Sequence, residues 1–197
     1  MVSIGILGAK NCGKTSVFAH FMDVMTGPQH EKIYTGAPGG PEMHKTITVD
    51  FIRFSHKGFL HQLYGTGGHR TPITDYYRVY VLRNATRFVA MFDLSEPIKS
   101  QLQFYSQLEI PSQAPLIVYL NKYDLRADFF QEYKNAIENF FNNELKMLIR
   151  DIIPTVAIEI GDNGEFAEYN QNAIDGILSL CEFDPTSSSF DIWDAGQ

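Results

Sequence analysis

The sequence predicts an α/β fold: a mostly parallel six-stranded sheet with one antiparallel edge hairpin and helices on both faces. Two observations carry this expectation. Short apolar runs alternate with segments of helical apolar spacing, the pattern of strand–helix units folding into a parallel sheet covered on both sides. The first unit also contains Gly8-Ala9-Lys10-Asn11-Cys12-Gly13-Lys14-Thr15 between its strand and its helix. That is the pattern G-x-x-x-x-G-K-[ST], and strand-loop-helix is the context that makes it a phosphate cradle. Glycines let backbone N–H groups curl around phosphates, and the helix N-terminus adds the positive end of its dipole. Lys14 is expected to reach the outer phosphates, and the Thr15 hydroxyl to coordinate Mg²⁺. The expected binding stretch thus runs from Gly8 to Ser16.

The elements follow in order. Val2 to Leu7 reads as a buried strand and Ser16 to Met25 as the first helix. Gly27 to His44, which contains APGGP, is a long turn-rich loop of the kind that is usually functional or mobile. Lys45 to Phe54 and Gly58 to Tyr64 read as two strands joined by a turn at Ser55 to Lys57, forming the antiparallel hairpin. A Gly-rich turn, Gly65 to Gly68, leads into a helix from Pro72 to Leu82. Arg87 to Phe92 is a buried strand, Ile98 to Leu108 a helix, and Pro115 to Leu120 a buried strand. Asp128 to Ile149 reads as one long amphipathic helix with Phe129, Tyr133, Ile137, Phe140, Phe141, Leu145 and Leu148 on its core stripe. Thr155 to Ile160 is the expected last strand and Asn172 to Glu182 the last helix. Residues 1–183 are expected to form one domain, and Asp184 to Gln197 a flexible tail on which Phe190, Ile192 and Trp193 offer apolar contacts.

Composition narrows the function classes. A chain of 197 residues with 44% hydrophobic and 20% charged residues suits a single folded domain. Its net charge of −7 argues against nucleic acid or an anionic membrane as main partner. No apolar run approaches the roughly 20 residues of a membrane span. The start, MVSIGILGAK, reads as a strand rather than a signal peptide. Two cysteines, Cys12 in the loop and Cys181 in the last helix, suit a reducing, cytoplasmic setting. Sequence signals for myristoyl or prenyl anchors are absent, so no lipid anchor is expected.

A second motif, Asn121-Lys122-Tyr123-Asp124, directly follows the PLIVYL strand. Carboxyl ends of strands are where open α/β sheets bind ligands. A carboxylate at Asp124 can accept from both N1–H and the 2-amino group of guanine, and adenine lacks that pair of donors. Asn121 can tie this loop to the phosphate loop, and the Lys122 stem can lie along the base. Thr46, opening the second strand, can swing in to coordinate Mg²⁺ and sense the γ-phosphate; the bland alternative is a β-former at a strand edge. In Leu63 to Arg70, the Gly68 amide can bond the γ-phosphate and His69 can orient the attacking water. A surface histidine in a turn is the alternative. Asp93, at the end of its strand, is either an additional carboxylate behind Mg²⁺ or a cap for the following turn.

Together these residues resemble the Ras-like small GTPases, over nearly the whole chain. GAKNCGKT and NKYD match that superfamily, and TITVDF is similar to its first-switch strand. FLHQLYGTGGHR looks like the MglA family of prokaryotic Ras-like GTPases. The resemblance implies a Ras-like P-loop NTPase fold, GTP and GDP as ligands with Mg²⁺, and a catalytic set of Lys14, Thr46, Gly68 and His69. It also implies regulator or effector proteins, in MglA-like systems of Roadblock/LC7 type. Three departures bear on hydrolysis. Gly65 stands where most small GTPases have the Asp that holds Mg²⁺ through water. His69 replaces the usual catalytic Gln, as in translational GTPases. Lys10 occupies a loop position where Ras has Gly and where bulk obstructs an arginine finger. A base-binding segment of S-A-K type is poorly matched, with Ala157-Ile158-Glu159 and Glu159-Ile160-Gly161 as candidates. The expected function is a slow, partner-stimulated GTPase switch of polarity, motility or trafficking type. The competing expectation is a guanine-nucleotide-binding scaffold with little or no hydrolysis, and a P-loop nucleotide kinase is a third.

Overall fold

One sheet of six strands organises the computed structural model, which describes residues 1–26, 49–67, 71–156 and 166–183. In chain order the strands are β1 (Ser3–Gly8), β2 (Asp50–His56), β3 (Phe59–Gly65), β4 (Arg87–Asp93), β5 (Leu116–Asn121) and β6 (Ile149–Pro154). They lie side by side as β2-β3-β1-β4-β5-β6. Only the β2–β3 pair is antiparallel; the other pairings are parallel. After β1 the chain adds strands first on one side and then on the other. The carboxyl end of β1 is therefore the switch point at which such sheets form a crevice.

Among the described residues the helices are α1 (Lys14–Thr26), α2 (Pro72–Asn84), α3 (Ile98–Tyr105), α4 (Tyr123–Arg126), α5 (Phe130–Asn139) and α6 (Ala167–Glu182). Each face of the sheet has its own apolar core. On one, Val17, Phe18 and Phe21 of α1 and Ile174, Ile177 and Leu180 of α6 pack on Ile4, Ile6 and Leu63. On the other, Val81 of α2, Tyr105 of α3 and Ile137 of α5 pack on Leu7, Phe92 and Leu120. The α/β architecture expected from the alternating pattern is thus present, with its antiparallel pair at the edge.

Several boundaries differ from expectation. The hairpin turns at Lys57-Gly58, not Ser55 to Lys57. Both residues have positive φ, 49° and 78°, as a type I′ turn requires, so β2 runs on to His56. Strand β2 begins at Asp50, and residues 45–48 lie outside the described residues. Helix α3 stops at Tyr105 and α6 starts earlier, at Ala167.

The long helix expected from Asp128 to Ile149 is broken. A 3₁₀ turn at Ala127–Phe129 precedes α5, and a π turn at Phe140–Glu144 follows it, closed by Leu145 N–H donating to Phe140 C=O. Lys146, at φ 55°, then turns the chain away. Tyr133, Ile137, Phe140 and Phe141 are buried as the stripe implied, but Leu148 is 67% exposed. Beyond it the expected helix end becomes β6, which pairs in parallel with β5. The last strand among the described residues is therefore Ile149–Pro154, and Thr155 and Val156, which open the expected strand, lie beyond it. Pro154 is tolerated because β6 is an edge strand. Thr155 and Val156 follow the strand, and residues 157–160 lie outside the described residues. So does the tail, 184–197, with Phe190, Ile192 and Trp193. Cys181 sits on α6, and burial pushes its thiol up to about 12, far from a reactive thiolate.

On β3, His61 is 4% exposed, stacks on Phe54 at 5.5 Å, and has a buried Nδ1 without a hydrogen-bond partner among the described residues. Burial holds its imidazole below the ordinary 6.5. The unfolded chain therefore takes up a proton at a higher pH than the folded one. The stability from a neutral His61 is full above that ordinary value and is lost as pH falls below it. Unfolding midpoints measured from pH 7 to pH 5 should fall, and His61→Phe should flatten the slope; an unchanged slope would refute this.

Candidate functional site

β1 ends at Gly8, and residues 9–13 form a loop before α1 starts at Lys14. Asn11 and Gly13 are left-handed, at φ 64° and 93°. Left-handed residues alternating with ordinary ones turn successive N–H groups to one side, which makes an anion-binding concavity. A Cβ at Gly8 would stand 2.5 Å from the Cys12 Sγ, so only glycine allows the loop to close on the end of β1. Cys12 is fully buried beneath the loop, while Lys10, Asn11, Thr15 and Ser16 are exposed and Ala9 and Gly13 partly so. Lys14 is 6% exposed; its Nζ donates to the Ala9 carbonyl at 2.5 Å and lies 3.6 Å from the Cys12 Sγ. The ammonium is thus held at the loop whose N–H groups would cradle phosphates.

The N-K-x-D residues meet this loop directly. Asn121 is 1% exposed, and its Nδ2 donates to the Cys12 carbonyl at 3.0 Å. Thr155, fully buried just past β6, supports it. The Thr155 hydroxyl donates to Asn121 Oδ1 at 3.4 Å, Thr155 N–H to the Leu120 carbonyl at 2.9 Å, and the Thr155 carbonyl accepts from Tyr123 N–H at 3.2 Å. Sequence reasoning missed Thr155 because it placed this residue inside a strand. Its signal was a Thr immediately after the last apolar run, at the same sheet edge as the motif.

Lys122 is left-handed at φ 61°, and its Nζ pairs with Asp93 Oδ2 at 2.5 Å. The Asp93 Oδ1 accepts from Ser95 N–H at 2.8 Å and Ser95 Oγ at 2.6 Å. Of its two expected roles, Asp93 therefore takes that of the cap. It also fixes the Lys122 head, leaving the stem at the loop surface. Asp124 is the second residue of α4, and its Oδ1 is buried with no hydrogen-bond partner among the described residues. A buried acceptor left without a donor costs about 1–3 kcal/mol.

At the end of β3, the Thr66 hydroxyl donates to the Ile6 carbonyl at 3.0 Å. Arg78 of α2, 5% exposed, reaches back to the Gly67 carbonyl at 3.4 Å and pairs with Asp75 at 2.6 Å. Asp50 lies directly across the ladder from Gly65 and is 4% exposed. Thr46, Gly68 and His69, the expected γ-phosphate group, lie outside the described residues, as do both S-A-K candidates. Among the described residues the structure therefore brings together the phosphate loop, Asn121, Lys122 and Asp124, and adds Thr155.

No family model matches this chain, and neither does any curated protein sequence. Solved structures do. The translation elongation factor SelB of Methanococcus maripaludis, in complex with the GTP analogue GppNHp, is similar with a TM-score of 0.63 at 16% identity. That match covers 92% of this chain and 34% of SelB, so the chain spans about a third of that protein's length. The likeness shows the fold, an α/β P-loop NTPase fold.

Removing the Asn121 amide leaves a buried carbonyl at Cys12 without its donor. Asn121→Ala should lower unfolding free energy by about 1–3 kcal/mol in a denaturant titration. Parent-like stability would show that the bond is idle.

Proposed function

We infer that residues 1–183 form the guanine-nucleotide-binding domain of a small GTPase switch, with GTP and GDP as ligands. The observation that carries this reading is the orphaned Asp124 Oδ1 in the loop that Asn121 ties to the phosphate cradle. Guanine offers N1–H and 2-amino donors to such a carboxylate, and adenine offers neither in that arrangement. The loop N–H groups and Lys14 would bind the phosphates, with Lys14 exchanging the Ala9 carbonyl for phosphate oxygen.

The residues also fit Mg²⁺. Thr15, in the first turn of α1, is the hydroxyl that P-loop proteins give to the metal, and Thr46 would join it in the GTP state. When bound, Mg²⁺ would neutralise charge on the β- and γ-phosphate oxygens. The Gly68 N–H would donate to the γ-phosphate, and His69 would orient the attacking water. Lys10 on the loop and the missing carboxylate at Gly65 favour slow intrinsic turnover. Regulators or effectors, of Roadblock/LC7 type if the MglA-like resemblance holds, would set the rate in a cytoplasmic polarity, motility or trafficking role. The same two residues support a second reading, a nucleotide-binding scaffold with negligible hydrolysis.

Asp124→Asn should shift preference from GTP toward XTP, because an amide complements the 2-oxo group of xanthine. In competition binding, the loss of GTP affinity should be about 3 kcal/mol, and unchanged GTP preference would refute guanine recognition. Lys14→Ala should abolish nucleotide binding by titration calorimetry. Single-turnover hydrolysis separates switch from scaffold: small GTPases alone run at about 10⁻⁴ to 10⁻² s⁻¹. His69→Ala should remove partner-stimulated turnover and spare GTP affinity; equal turnover in both proteins would remove His69 from the mechanism.

A further inference from the structure

We propose that Asp93, at the end of β4, sets guanine affinity by holding Lys122 in place, as a positioning residue of the base site. The inference rests on the guanine-nucleotide reading above and deepens it at the second residue of the N-K-x-D motif. Guanine is neutral, so what it can use of Lys122 is the apolar stem lying along it. Lysine's four-carbon stem is flexible and gives up rotamer entropy when it is fixed. A stem already fixed before the nucleotide arrives meets that cost in advance.

The structure fixes the stem at both ends. At the backbone end, β5 stops at Asn121, and Lys122 is left-handed at φ 61°, which sets the direction of its side chain. At the far end, Nζ stands 2.5 Å from Asp93 Oδ2 and donates to Ser95 Oγ at 3.3 Å. Asp93 is 1% exposed, while the Lys122 side chain keeps 31% of its surface open. The anchor is therefore buried and the stem is accessible. Such a partly buried pair is screened by salt far less than one in open solvent.

Asp93 is itself fixed by two elements. It lies beside Asn121 in the β4–β5 ladder, and Leu94 N–H donates to the Asn121 carbonyl at 3.0 Å. Gln101 of α3, 2% exposed, takes both Asp93 main-chain groups. Its Oε1 accepts from Asp93 N–H at 2.7 Å, and its Nε2 donates to the Asp93 carbonyl at 2.8 Å. Ser95 N–H and hydroxyl fill Oδ1, which leaves Oδ2 to Lys122. The pairing also spends the Lys122 charge on a carboxylate rather than on phosphate.

The test measures GDP affinity of the full chain by calorimetry, beside IDP, whose hypoxanthine lacks the 2-amino group. Asp93→Asn keeps an acceptor for Ser95 and removes the charge that holds Lys122. It should weaken GDP and IDP alike, each about tenfold, as expected for losing a hydrogen bond to a charged group. The GDP:IDP ratio should stay within about twofold of the parent's, because Asp124 still reads the base edge. In a Lys122→Ala background the same change should cost less than about twofold, since the partner is already gone. Parent-like GDP affinity in Asp93→Asn overturns the proposal. So does a collapsed GDP:IDP ratio, which would put the effect at Asp124. An equal loss in the Lys122→Ala background overturns it too, because Asp93 would then act on the fold alone. If Asp93→Asn does not fold by circular dichroism, its combination with Lys122→Met decides, since that pair keeps an apolar stem and leaves no buried charge unpaired. A like loss of GDP affinity in the folded pair supports the assignment, and parent-like affinity overturns it. A parent that binds no guanine nucleotide would instead sink the reading of the whole site.

Discussion

The carbonyl of Cys12 sits in a loop whose neighbours on both sides, Asn11 and Gly13, are left-handed, so no helix or strand supplies its donor. It is nevertheless buried under the phosphate loop, and a buried carbonyl without a partner is costly. Asn121 Nδ2 supplies that partner at 3.0 Å. Asn121 is in turn fixed by its place at the end of β5 and by the Thr155 hydroxyl at the end of β6. Two hydrogen bonds through the one Asn121 side chain therefore join the loop after β1 to the carboxyl ends of β5 and β6. Without the Asn121 side chain the loop after β1 and the loop after β5 would lack this link.

Electrostatics around these strand ends are arranged in pairs, although the chain as a whole is acidic at −7. Lys14 is buried against backbone carbonyl, the partly exposed Lys122 pairs with the buried Asp93, and Arg78 is buried against Asp75 and the Gly67 carbonyl. A buried charge is tolerated only when paired or hydrogen-bonded. The consequence at Asp93 is specific: its two oxygens are taken by the β4–α3 turn and by Lys122 of the loop after β5. The remaining buried acid, Asp50, lies on the opposite side of β1, next to the strand that ends in Gly65.

Legibility followed physical range. The strand–loop–helix of β1 and α1, the buried strands β4 and β5, and helix α2 were readable because their signals are local. These are apolar runs bounded by turn residues and, for α2, a proline at its first turn with a Thr71–Thr74 capping box. The region after α5 was not. Leu145, Leu148 and Ile149 continue the spacing of a helical stripe, and a continuing period gives no sign of where hydrogen bonding changes. The π turn at Phe140–Glu144 and the positive φ of Lys146 end the helix by local geometry that no residue in the stripe announces. Misplacing β6 then hid Thr155.

The turn beyond Gly65 shows how the site is coupled to the helix that follows it. The Thr66 hydroxyl is tied to β1 through the Ile6 carbonyl, while the next carbonyl, Gly67, is held by Arg78 from α2. Two successive residues thus answer to two different bodies, the central strand and a helix. Arg78 also lies over the Phe104 ring of α3 at 5.1 Å, so its guanidinium cannot follow α2 without giving up that contact. On the outer side of α2, Ile73 and Tyr76 are 56% and 69% exposed, and its inward contacts come from Thr74, Arg78, Val81 and Leu82. The inward face of α2 and the Arg78 bond to Gly67 thus tie this helix to the turn before it. The site is therefore tied to the sheet through Cys12 and Asn121, and to a helix through Gly67 and Arg78.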